Sequence, residues 1–70
     1  MTDENFYSLI KRLEAAFRVL PLNEPSLQIY HEKLRYISDD NWKRIVETII
    51  DTEENFPSIS CIKRYMASYR

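Results

Sequence analysis

The stretch that decides the fold is residues 42–50, Trp-Lys-Arg-Ile-Val-Glu-Thr-Ile-Ile. Its apolar positions, 42, 45, 46, 49 and 50, recur every three or four residues and therefore share one side of a helix. Isoleucine and valine also suit a strand, but a strand would alternate polar and apolar residues, and this stretch does not. We therefore predict a helix over residues 39–54, with Ser38, Asp39 and Asp40 able to cap its start.

The same spacing continues on both sides of this helix. Upstream, it predicts a helix over residues 3–20, capped by Thr2 or Asp3 and stopped by Pro21, and a second over 24–37. Downstream, Phe56-Pro57-Ser58 closes the central helix and begins a last helix over 58–69. The predicted core stripes are Phe6, Leu9, Ile10, Leu13, Ala16, Phe17 and Leu20; Leu27, Tyr30, Leu34 and Ile37; Trp42, Ile45, Val46, Ile49 and Ile50; and Ile59, Ile62, Met66 and Tyr69.

These four helices predict one all-α domain over residues 1–70, either a compact four-helix bundle or an orthogonal helical array. A chain of this length buries only about 60% of its unfolded surface, so its stability is marginal. Neither a disulfide nor a four-ligand zinc site can add to it, because Cys61 and His31 are the only residues of their kinds. One unpaired cysteine fits a reducing cytosol.

Composition excludes several classes of function. The net charge is −1 and neither half of the chain is basic, whereas proteins that neutralise nucleic-acid phosphates usually carry a positive excess. The chain has no glycine, on which phosphate-binding loops and nucleophile elbows depend. No apolar run approaches the ~20 residues that cross a bilayer, and Asp3 and Glu4 stand where a signal peptide would be basic. We expect a cytoplasmic protein that is not an enzyme, has no cofactor, metal or small-molecule substrate, and meets nucleic acid only indirectly.

The two singular residues give no sign of catalysis. His31 has no serine or cysteine at a spacing that would place a nucleophile on its helical face, and we expect it at the surface. Cys61 is followed by Lys63 and Arg64, which leaves two readings. It is either a thiol with a lowered pKa or a small buried apolar side chain.

Charged residues and tyrosines suggest a binding surface. Acids at 51, 53 and 54 lie near the negative end of the central helix, where each costs about 0.3–1 kcal/mol; they form either a solvated surface or a contact for a basic partner. Lys63, Arg64 and Arg70 give the last helix a basic side, while tyrosines at 7, 36 and 65 fall off the stripes, as interface tyrosines do. The predicted partner-binding residues are Tyr36, Asp51, Glu53, Glu54, Lys63, Arg64 and Tyr65.

The order of these signals is similar to that of one family. A first amphipathic helix and a proline-bearing loop precede Tyr30-His31-Glu32-Lys33-Leu34; a helix with Trp42, Ile45, Val46 and Ile49 follows; and Phe56-Pro57-Ser58-Ile59 opens the last helix. Over nearly all 70 residues the chain resembles the N-terminal domain of the bacteriophage replicative-helicase loader-inhibitor family. The resemblance implies a compact helical array that, without catalysis, holds a replicative helicase or its loader ATPase and controls delivery to origin DNA. In that family the helicase-contacting part lies in a flexible C-terminal region, so the resemblance assigns no contact residue here.

Three functions therefore compete. The first is a phage-type protein-interaction module that regulates a DNA-replication helicase or its loader. The second is a small DNA-binding regulator that lays its last helix, with Lys63, Arg64 and Arg70, in the groove. The third is a viral inhibitor of a host defence complex, in which the acidic segment 51–54 imitates nucleic acid. Self-association is compatible with each, because it would cover the tyrosines and stabilise a marginal core.

Overall fold

Four α-helices account for most of residues 1–68, the part of the chain that a computed structural model describes. They are α1 (Asp3–Phe17), α2 (Glu24–Leu34), α3 (Asp39–Thr52) and α4 (Ile59–Ser68). No strand occurs within this range. The predicted all-α bundle is confirmed. None of its helices within residues 1–68 combines the length and the apolar character that a bilayer span requires.

All four helix starts fall within one residue of the prediction, and each has a capping side chain. Such a cap satisfies one of the free amide groups of the first turn and contributes about 0.5–2 kcal/mol. The caps are Thr2 Oγ1 to the Asn5 amide, Asn23 Oδ1 to the Ser26 amide, Ser38 Oγ to the Asn41 amide, and Ser58 Oγ to the Cys61 amide.

The end of α1 was predicted wrongly. The helix stops at Phe17 and not at residue 20, because Arg18 takes the left-handed conformation with φ 54° and ψ 39°. The Arg18 amide then donates to the Ala15 carbonyl and the Val19 amide to the Glu14 carbonyl. This pair of bonds is the Schellman motif, which usually has glycine at the left-handed position. Without a glycine in the sequence, the first proline was the only visible stop.

The other helix ends are also shorter than predicted. α2 ends at Leu34 and not at residue 37, although Ile37 still donates its amide to the Leu34 carbonyl. α3 ends at Thr52 and not at residue 54, because Glu53 takes an extended backbone. α4 begins at Ile59, one residue after the predicted start, and the predicted end at residue 69 lies outside the described residues.

The core consists of one face from each helix. Its buried members are Phe6, Ile10, Leu13, Leu34, Ile37, Trp42, Ile45, Val46, Ile49 and Ile62. The placement of Ala16 and Leu20 on the buried stripe was wrong, since both are exposed; Tyr69 lies outside the described residues.

Trp42 is fully buried and stacks on Phe6 with 5.6 Å between ring centroids. Its indole N–H has no hydrogen-bond partner within residues 1–68, which costs about 1–3 kcal/mol.

The helices α1 and α3 pack side by side and run in the same direction. Near their starts Asn5 donates to Asp39, and further along both helices Arg12 pairs with Glu47. Residues that lie later in α1 thus contact residues that lie later in α3, as parallel helices require. α2 runs the other way, since His31, late in α2, contacts Asp3 at the start of α1. The C-terminal ends of α1 and α3 consequently lie at one end of the bundle.

Candidate functional site

A surface pocket of about 330 Å³ lies where the end of α3 meets α4. We call it the α3–α4 pocket. Among the described residues 1–68, its lining includes Glu53, Arg64, Tyr65 and Ser68. The first three belong to the predicted partner-binding set, although they come from two separate segments of the sequence. The fold therefore brings together residues that sequence reasoning could only name separately.

Local structure explains how these side chains reach the pocket. Glu53 keeps its amide on the Ile49 carbonyl but has φ −94° and ψ 146°, so the backbone leaves the helical path directly after it. Arg64 and Ser68 are four residues apart on α4 and therefore share a face of that helix. The Ser58 cap fixes where α4 begins. The pocket thus depends on the end of one helix and the start of the next.

The Cys61 thiol supports the Glu53 wall of the pocket. Its Sγ donates to Glu53 Oε1 at 3.2 Å, and the side chain is buried. Burial raises the pKa of the thiol, the negative charge of Glu53 raises it further, and Arg64 opposes both. The lowered pKa that the neighbouring Lys63 and Arg64 suggested is therefore wrong in direction. The alternative interpretation, a small buried apolar side chain, is confirmed for its burial, but the thiol also donates a hydrogen bond to Glu53.

Tyr65 forms the second fixed wall. Its hydroxyl lies 2.9 Å from Thr52 Oγ1, and Thr52 donates its own hydroxyl hydrogen to the Thr48 carbonyl at 2.7 Å. Because Thr52 has only one hydroxyl hydrogen, Tyr65 is the donor in their contact. Arg64 is exposed and makes no ion pair within residues 1–68. The pocket therefore offers a guanidinium and a carboxylate side by side, each with bonding capacity left for a ligand.

The remaining predicted residues do not line this pocket. Asp51, Glu54 and Lys63 are exposed on the same two segments. Tyr36 is 79% exposed but follows α2, at the opposite end of the bundle from Glu53. There its hydroxyl accepts a hydrogen bond from Arg35, whose guanidinium carbon lies 5.0 Å from the ring centroid. Arg70 lies outside the described residues.

Sequence reasoning missed Glu14, which is only 9% exposed. Its Oε2 accepts the Leu22 amide at 2.8 Å, across the connector between α1 and α2. A signal was present, because position 14 lies four residues after Ile10 and three before Phe17, on the apolar stripe. A charged residue at a core position indicates that another group of the same chain forms a hydrogen bond or ion pair with it, since buried carboxylates without such a group are rare.

The expectation that His31 lies at the surface needs correction. Its side chain is 24% exposed and stacks on Tyr7 with ring centroids 5.8 Å apart. Phe6 meets the imidazole edge-on, and Nε2 lies 2.8 Å from Asp3 Oδ1. His31 therefore joins α2 to α1 through an aromatic cluster and one polar contact.

A second surface groove lies between α1 and α3. It has a volume of about 550 Å³ and is lined mainly by α1, with Ile50 contributed by α3. The ion pair between Arg12 and Glu47, 2.6 Å from Nε to Oε2, lies beside it. This groove contains none of the predicted partner-binding residues.

Within the described residues 1–68, no group of three or more histidine, cysteine, aspartate or glutamate side chains is arranged to hold a metal ion. Comparison of the chain with protein-family models, with curated proteins and with solved structures gives no match.

Proposed function

We propose that the chain is a non-catalytic protein-interaction module that uses the α3–α4 pocket to bind a component of the DNA-replication machinery, either a replicative helicase or its loader ATPase. The single observation that carries the interaction surface is the convergence of Glu53, Arg64 and Tyr65 on one pocket. The class of partner comes from the family resemblance in the order of the sequence signals. The two parts of the proposal are tested separately.

The pocket suits a protein surface better than a nucleic acid. Arg64 could contact a phosphate, but Glu53 lines the same pocket and its negative charge opposes a polyanion. A protein surface presents charges of both signs and can satisfy both walls. Tyrosine and arginine are also the residue types that most often dominate protein–protein binding energies.

The test is affinity capture from a nuclease-treated bacterial lysate with the purified chain and two variants. Arg64→Glu reverses the charge in the pocket. Arg44→Glu makes the same change at another exposed position, on the first half of α3, and serves as the matched control. We expect the wild-type chain and the control to retain a replication helicase or loader ATPase, and the pocket variant to lose at least about 90% of it, as for an interface hot spot.

Two results would contradict the proposal in different ways. Retention of the same partner by Arg64→Glu would show that the α3–α4 pocket is not the contact surface. Recovery of nucleic acid alone in a parallel capture from lysate without nuclease, with affinity that falls steeply as salt rises, would favour the DNA-binding regulator instead.

A further inference from the structure

The side of α2 that faces away from the core carries two large apolar side chains. Ile29 is 50% exposed and Tyr36 is 79% exposed. They are seven residues apart, which is close to two helical turns, so both lie on one line along the helix surface. Tyr36 follows the helix, but Arg35 before it keeps helical angles, with φ −59° and ψ −17°, and this keeps Tyr36 on the line.

Two residues of opposite charge lie between these apolar side chains. Glu32 is three residues after Ile29 and Lys33 is four residues after it, so they flank the line on opposite sides. Both are exposed, and neither forms an ion pair with another residue of the described range 1–68. We call Ile29, Glu32, Lys33 and Tyr36 the outer face of α2.

α2 contributes little to the core of the monomer. Of its 11 residues only Leu34 is buried, whereas α1 and α3 each contribute four buried residues. A domain of this size is marginally stable, and apolar surface removed from water by association adds to its stability. Covering the outer face of α2 would therefore be favourable.

We propose that the outer face of α2 binds the same face of a second copy of the chain, with the two α2 helices parallel. The two-fold axis runs between the helices and along them. It places Ile29 against Ile29 of the second copy and, two turns later, Tyr36 against Tyr36 of the second copy. Because this axis exchanges the two sides of the face, Glu32 lies opposite Lys33 of the second copy, and the same pair forms again on the other side.

The charge pattern argues for this occupant and for this orientation. A face with an acid on one side and a base on the other is complementary to itself in the parallel arrangement, as in parallel coiled coils. In an antiparallel pair of fully overlapping faces, each side meets the same side of the other copy, so Glu32 faces Glu32 and Lys33 faces Lys33, which is unfavourable. An anionic membrane or a nucleic acid would attract Lys33 but repel Glu32.

Arg35 prepares Tyr36 for this contact. Its guanidinium carbon lies 5.0 Å from the centroid of the Tyr36 ring, and its Nη2 donates to the Tyr36 hydroxyl at 3.0 Å. An aromatic ring that is already held in place loses less conformational entropy on association. Aromatic rings also pair favourably with each other beyond the area that they bury.

The size of the face predicts a weak dimer. From Ile29 to Tyr36 it extends about 10 Å along the helix, which is too short to bury the roughly 1,200 Å² of a stable specific interface. We therefore expect a dissociation constant on the order of 100 µM. The α3–α4 pocket stays open in this dimer, since its described lining comes from Glu53 and from α4. The dimer and the proposed function therefore do not depend on each other.

The test is sedimentation equilibrium of the purified full chain between about 10 µM and 2 mM at low salt. Glu32→Lys and Lys33→Glu each replace two ion pairs by two like-charge contacts, so each alone should raise the dissociation constant at least about 10-fold. An equimolar mixture of these two variants should form dimers again, because one carries two bases where the other carries two acids. Arg44→Glu makes the same charge change at an exposed position of α3 and should dimerise as the wild type does. Because all these side chains are exposed, circular dichroism at about 10 µM should show the same fold for every variant.

Cysteine cross-linking tests the orientation. Under mild oxidation with glutathione disulfide, Ile29→Cys should give a disulfide-linked dimer, because the parallel axis brings position 29 of both copies together. The wild type gives the background rate, since its Cys61 is buried. In an antiparallel dimer, a mixture of Ile29→Cys and Tyr36→Cys would instead link position 29 to position 36.

Several results would overturn the inference. They are a chain that stays monomeric at 2 mM, a dimer that neither charge variant weakens, a mixture of the two charge variants that stays monomeric, equal weakening by Arg44→Glu, and preferential linkage of position 29 to position 36. All these measurements use the chain alone. Their failure would leave the proposed function in place, and failure of the lysate capture would leave the dimer in place.

Discussion

Replacing Arg18 by glycine should stabilise the protein. Arg18 is the one residue within 1–68 that has a positive φ, and a left-handed residue with a Cβ is strained by about 1–2 kcal/mol. Glycine escapes this strain, but it gives the unfolded chain more freedom, which costs about 0.5–1 kcal/mol. The expected net gain in the free energy of unfolding is therefore about 0–1.5 kcal/mol, and its midpoint, about 0.75 kcal/mol, corresponds to about 3–6 °C in melting temperature for a domain of this size.

The measurement is thermal and urea unfolding of Arg18→Gly, followed by circular dichroism and by the fluorescence of Trp42, the only tryptophan. Arg18→Ala is the control, because alanine removes the exposed side chain but keeps the Cβ. Alanine should therefore give no comparable gain. Equal stability of the two variants would show that the side chain, and not the backbone conformation, accounts for any change. A lower stability of Arg18→Gly would refute the reasoning about the turn.

Three further predictions concern other parts of the molecule. Glu14→Ala should lower the free energy of unfolding by about 1.5–3 kcal/mol in urea titration, because the Leu22 amide loses a charged acceptor, and Glu14→Gln should lose less. The hydrogen bond from Arg12 lowers the pKa of Glu47. The Glu47 carboxylate therefore stabilises the fold fully above its ordinary pKa of about 4.3, and this stabilisation is lost as the pH falls through the lowered pKa. Glu47→Gln should remove that part of the pH dependence of stability. Cys61, whose pKa burial raises, should react with Ellman's reagent at about pH 8 more slowly than a free thiol, and denaturing urea should remove the difference.

The sequence predicts the fold class because helix starts and buried faces are local properties. Side-chain caps such as Ser38 and Ser58 lie next to the amides that they satisfy, so residue type and local position are enough to mark a helix start. Helix ends depended on backbone conformation at residues without a special sequence signature. Arg18 turns left-handed although arginine has no preference for that region, and Glu53 simply becomes extended. The parallel packing of α1 and α3 could not be predicted from the apolar periodicity either. Periodicity identifies the buried face of each helix but does not show which helices are neighbours.

The candidate site was only partly predictable for the same reason. Charge and position singled out Glu53 and Arg64, but that they line one pocket follows from how α4 meets the end of α3. The exposure of Leu20 was hidden by the pattern itself, since the apolar spacing runs on through Leu20 and places it in the core. The left-handed Arg18 ends the helix before that point, and the bond from the Leu22 amide to Glu14 spans the connector that follows.

The α3–α4 pocket lies at the end of the bundle where α1 and α3 finish. α1 and α3 are parallel, and the Phe17 ring at the end of α1 lies 6.2 Å from the ring of Phe56, in the link between α3 and α4. Arg64→Glu should therefore weaken a complex that forms at this end of the bundle, because it reverses a charge in the pocket. Tyr36→Ala, at the opposite end, should leave that complex unchanged, and an equal loss from this variant would mean that the binding surface does not lie where α1 and α3 end.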